Sequence, residues 1–248
     1  MSSAANLINF DPANFTKPAD DFDVPALAPK TIFHLAIIRA HLDKYDIIGP
    51  VTAFMHLEKD FMKVFHNSPK GLEKLDNLRY VTDDWGEKEE IPEFVDRGFN
   101  TLVAEGQKDV YTILKVIRQV SKKVHEILPS PVYVVSAIGP LTWSDSPTPF
   151  LPKPGFRGYA ANTTLIGSYA TCAGAKSAAE DAMAKLTLDV KNAKIEASWL
   201  DGMGGGSIVA MVPGKCWEVK VKYEDEVFHR TLEHDERASE GGKRGYRT

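Results

Sequence analysis

Cysteine is scarce: two occur in 248 residues, Cys172 and Cys216, with no C-x-x-C spacing, so neither a zinc knuckle nor a redox pair is indicated. They read as buried free thiols. Long apolar runs are also missing. "TIFHLAIIRAHL" is broken by Arg39, His34 and His41 well short of the roughly 18 residues a membrane span needs. The opening "MSSAANLINFDPANF" has no basic stretch followed by an apolar one, so the expectation is a cytoplasmic protein that takes no membrane partner. Nor is there an excess of positive charge. Residues 1–131 hold 16 Lys and Arg against 20 Asp and Glu, and residues 132–248 hold 14 of each, which argues against nucleic acid as a partner.

Catalytic signatures are absent as well. No G-x-S-x-G exposes a nucleophilic serine, and no H-E-x-x-H offers two histidines to a metal. One Glu-x-x-His pair, Glu226 and His229, stands where a di-iron bundle needs two from facing helices. Tyr111-x-x-x-Lys115 lacks the Gly-rich turn that would make it a reductase motif. No cofactor and no metal are therefore expected.

What is present divides the chain near residue 130, and the fold class it predicts is α+β. Residues 1–30 carry four prolines and no sustained period, as an extended arm does; Phe10, Phe15 and Phe22 would let it dock. Over 31–129 the spacing predicts a helical domain of three to five helices. Leu35, Ile38, Leu42 and Tyr45 follow at three- or four-residue steps, and Phe54, Leu57, Phe61, Val64 and Phe65 form a second stripe over 51–66. Ser68 and Pro69 read as the cap and first turn of a third helix, and the acidic run 83–90 as a solvated loop. From Pro92 to Leu128 the apolar positions approach a seven-residue repeat. They predict one helix of about 55 Å, or two broken at Gly106. One helix of that length needs a partner along it, which makes a homo-oligomer the expectation.

After residue 130 the period becomes two. "VYVVSAIG", "TLIGSYAT", "AKIEASWL", "SIVAMV" and "CWEVKVKYE" predict an antiparallel sheet of about five strands, with the Ala-rich helix after Thr171 on one face, over 130–228. The glycines of "DGMGGG" sit between two strands. A phosphate cradle needs a helix straight after it, so this run reads as a hairpin turn. Residues 229–248 are polar, without period, and read as a disordered tail.

Two groups of residues stand out. The insert 139–162 is long and proline-rich, and its Trp143, Phe150, Phe156 and Tyr159 give it an adhesive surface; Trp199 and Trp217 lie on neighbouring strands as core or as a platform. His34 and His41, seven apart, would stack on one side of the first helix about 10 Å from each other, and His56 shares a helical face with Asp60. Those four are the candidates for acid–base catalysis, should this be an enzyme.

The run from Gly167-Ser168-Tyr169-Ala170-Thr171 through the Ala-rich helix, Trp199 with Asp201-Gly202 and the strand holding Trp217 resembles an uncharacterised fungal α+β module of unknown function. The resemblance implies a fold and a fungal source, but no activity. The sequence thus leads to a non-catalytic interaction or scaffold protein, self-associating through its helical half and meeting a protein partner. A small-molecule isomerase, cyclase or hydrolase, or a ligand carrier, are the alternatives.

Overall fold

The computed structural model describes residues 17–66, 68–82, 85–106, 110–200, 204–228 and 230–231. It is mostly sheet. Strands β1 (Thr31–Arg39) and β2 (Lys44–Val51) form a hairpin, followed by α1 (Glu58–Phe65), α2 (Pro69–Arg79), the small ribbon β3 (Tyr80–Thr82) and β4 (Lys88–Glu90), and α3 (Pro92–Arg97). Then come β5 (Thr101–Glu105), β6 (Tyr111–Val120) and α4 (Lys122–Ile127). The second half runs β7 (Val132–Ser144), β8 (Gly155–Arg157), α5 (Tyr159–Asn162), β9 (Thr163–Tyr169), α6 (Cys172–Leu186), β10 (Lys194–Trp199), β11 (Gly206–Val212) and β12 (Lys215–Glu224). The first sheet has the order β2-β1-β6-β5. The second has the order β10-β11-β12-β7, and β7, 13 residues long, carries both β8 and β9 on its other edge.

Alternation along β1 explains the layering. Phe33, Leu35 and Ile37 face the core beneath α1, α2 and α3, with Phe54, Phe61, Phe65, Phe94 and Phe99. Ile32, His34 and Ile38 face the other way, where the two sheets meet: Ile32 packs with Val132 of β7, and Ile38 with Ala160 of α5. The far face of the second sheet is closed by α6, whose Ala175, Ala179 and Ala182 let it lie close to Val135, Trp217 and Val219.

The expected helical half is therefore overturned: neither a helical bundle nor a helical domain occupies 31–129. All eight residues from Thr31 to Ile38 are buried, and a strand covered on both faces shows no two-residue alternation, so a subset of its apolar residues imitates helical spacing. The 92–128 helix fails for the same reason. Its repeat samples both faces of β6, where Leu114 faces the helical side and Ile113 the inner side, and Gly106 begins the β5–β6 turn, its N–H donating to the Val110 carbonyl (2.7 Å). The second stripe shortens to a 3-10 turn (Phe54–Leu57) and α1, whereas α2 is capped as the sequence reads, Ser68 Oγ accepting from the Gly71 N–H (3.2 Å). The acidic run contributes β4. Phe10, Phe15 and the tail from 232 lie outside the described residues. The arm from Lys17 lies along β5, with Asp20 accepting from the Val103 N–H (2.7 Å) and Asp21 bridging Thr101.

In the second half strands and helix lie close to where the two-residue period places them, and Thr171 caps α6 by accepting from the Gly174 N–H (3.2 Å). Gly139, at φ +126°, turns β7 toward the insert; a Cβ there would stand 2.9 Å from the Cys216 carbonyl oxygen. Gly139→Ala is expected to cost about 2 kcal/mol, read as a lowered urea midpoint with an unchanged slope.

Candidate functional site

The insert is anchored by the turn between β1 and β2. That turn ends on Asp43, a left-handed residue (φ 48°) whose carboxylate accepts from the Gly158 N–H (2.8 Å) and the Ala160 N–H (2.9 Å). Asp43 is buried. Burial raises its pKa, while those amide bonds and the Arg157 charge oppose the rise. Arg157 in turn ties the insert to itself, donating to the carbonyls of Phe156 (3.3 Å), Leu151 (3.4 Å) and Lys153. Trp143 packs edge-on against Phe156 across the β7–β8 ladder (5.3 Å between centroids) and donates its indole N–H to Asp145 (2.8 Å). Phe150 meets the His41 ring edge-on at 5.5 Å.

Held this way, the insert becomes one wall of a cleft of about 780 Å³. Val134, Ser136 and Ile138 of β7 form its floor, residues 44–48 of β2 the second wall, and Leu151, Phe156, Arg157 and Tyr159 the third; Lys220, Lys222 and Arg230 close one end. Tyr45 lines it with a hydroxyl whose pKa burial pushes up to about 12. Most acidic groups here are already engaged. Asp43 holds the insert, Asp46 binds Arg39 (2.7 Å), and Asp60 accepts from Lys63 (3.1 Å) and Arg230 (3.2 Å). Arg230, 12% exposed, also reaches Glu224 (3.1 Å) and Glu226 (2.5 Å); Glu224, 1% exposed, takes a further bond from Lys222 (2.8 Å). Two cations are left without a carboxylate at bonding distance among the described residues, Lys44 and Arg157.

A smaller cleft of about 560 Å³ lies across β2, against α1 and the start of β6. It brings together His41 and Asp60, two of the four catalytic candidates. The other two go elsewhere. His56 sits in the 3-10 turn before α1, and His34 is wholly buried between the sheets, its Nε2 2.8 Å from Ser168 Oγ on β9. Burial pushes the His34 imidazole down to about 3; the Ile117 carbonyl and the Glu224 charge oppose this, yet among the described residues Nδ1 has no partner in hydrogen-bonding geometry. Of the aromatic candidates, Trp217 is core and Trp199 is half-buried at its edge with Lys176 over the ring (4.8 Å), so the two do not form an open platform. The glycine-rich run joins β10 to β11 as a hairpin, with residues 201–203 outside the described set.

Asp43, Arg157, Ser168 and Arg230 are the site and inter-sheet residues that sequence reading misses. Each acts across more than 60 positions or through backbone carbonyls, which no local spacing records. Among the described residues no cluster of His, Cys, Asp and Glu could hold a metal, and no helix is long and apolar enough to cross a membrane. No family model, curated protein or solved structure matches this chain.

Proposed function

We propose that the protein binds a small organic anion in the cleft between its two sheets, as a carrier does. The observation that carries this reading is the wall formed by the insert: Phe156 and Tyr159 offer apolar area beside Lys44 and Arg157, two cations with no carboxylate at bonding distance among the described residues. A volume of about 780 Å³ lies in the range of small-molecule pockets, and the apolar area of the insert wall beside cationic side chains would orient an anion that carries an apolar group. Self-association through 92–128 gives no support to the scaffold reading, because that segment is two strands between short helices. Acid–base chemistry by His41 and Asp60 is a second reading, favoured by their sharing the smaller cleft.

Native mass spectrometry of the purified full chain tests the first reading. The expected result is an added mass of a few hundred daltons, displaced by aromatic carboxylates in a titration. Asp43→Ala frees two buried amides and removes a residue suited to left-handed φ, so it should cost about 2 kcal/mol and weaken retention at least tenfold; Lys44→Ala should weaken retention without changing stability. No adduct, together with no aromatic carboxylate or phosphate binding by calorimetry, overturns the reading.

A further inference from the structure

We infer that β10 is the docking edge for a second copy of this chain, which adds its own β10 antiparallel across a two-fold axis centred on Ile195. Among the described residues nothing pairs with the outer edge of β10, whereas the β5 edge of the first sheet is covered by the arm at Asp20 and Asp21. Lys194 through Ser198 are all exposed, with Ile195 at 52%. The edge carries no proline and its register with β11 has no bulge, two devices that commonly blunt a free edge; its charges, Lys194 and Glu196, are of opposite sign and can be matched by a second copy.

The backbone fixes which residues can bond outward. The Leu200 N–H donates to the Gly205 carbonyl (2.8 Å), and bonded pairs alternate along an antiparallel ladder, so Ser198, Glu196 and Lys194 bond to β11. The N–H and C=O groups of Ile195 and Ala197 therefore point away from the sheet. An axis through Ile195 pairs them outward in register, Ile195 with Ile195 of the partner subunit, and Ala193 with Ala197 of the partner subunit.

The same axis sets Lys194 opposite Glu196 of the partner subunit, and Glu196 opposite the partner's Lys194. Lys194 and Glu196 share one face and already approach to 2.6 Å within the chain, so pairing makes an alternating row of four charges. An axis through Glu196 would instead place like charges face to face. The pattern Lys-Ile-Glu is self-complementary about its centre, as a two-fold interface requires. A single pair of strands is a small interface, so a dissociation constant of order 10 μM is expected, rising with salt.

Sedimentation velocity of the full chain from about 1 to 200 μM reads this directly. The wild type should pass from monomer to dimer. Lys194→Glu and Glu196→Lys should each stay monomeric to at least tenfold higher concentration, with unchanged melting curves. An equimolar mixture of the two single variants should dimerise, and so should the double charge swap. A monomeric wild type at 200 μM, or single variants that dimerise as the wild type does, overturns the inference.

Discussion

Arg230→Ala is expected to lower the unfolding free energy by about 3 kcal/mol, or roughly 6–12 °C in Tm. The guanidinium joins Asp60 of α1 to Glu224, the last residue of β12, and to Glu226 just beyond it, and Glu224 is 1% exposed. Removing it leaves Glu224 a buried carboxylate with Lys222 as its remaining partner. Burial alone pushes the Glu224 carboxyl up, but Lys222 and Arg230 together hold it below its usual 4.5. A carboxylate depressed in the folded state contributes stability that is present above the unfolded pKa and lost as pH falls through the folded one. In Arg230→Ala that carboxyl protonates more readily, so the deficit against the wild type should shrink between pH 7 and pH 4. Urea unfolding at both pH values checks this, and a constant deficit would assign the loss to packing.

The second large effect is acid sensitivity set by His34. Its folded pKa of about 3 lies below the unfolded 6.5, so between those values the unfolded chain binds a proton that the folded chain refuses. Stability then falls as pH drops below 6.5, by up to about 1.4 kcal/mol per unit, or roughly 2–3 kcal/mol by pH 4.5. His34→Gln should be less stable than the wild type at pH 7, because the inter-sheet contact with Ser168 is disturbed, and should lack this slope. Equal slopes in the two proteins would mean that His34 is not the neutral ring between the sheets.

The second half was legible because β12 keeps one face on α6 and the other largely exposed, and part of β7 keeps the same rhythm. Val135 and Val219 then alternate with Ser136 and Lys220, and the two-residue period survives in the sequence. The first half was not. β1 is covered by helices on one face and by the second sheet on the other, so the residues that would have marked alternation are apolar too. In β6 the β-branched Thr112, Ile113, Val116 and Ile117 carry the strand signal, but the near seven-residue spacing of apolar positions over 92–128 masks it. The insert was legible as a feature by its length and aromatic content. Its anchor was not, since Asp43 looks like any turn aspartate until Gly158 and Ala160 arrive beside it.

Val227, in the helical turn after β12, is 1% exposed in the core beneath α1 and α2, among phenylalanines that come more than 120 positions earlier. Synthesis of the first sheet and its helices is therefore not enough to finish that core. On the ribosome the early half must wait, with its phenylalanine cluster incompletely sealed, until the segment through Arg230 has emerged and can return to it.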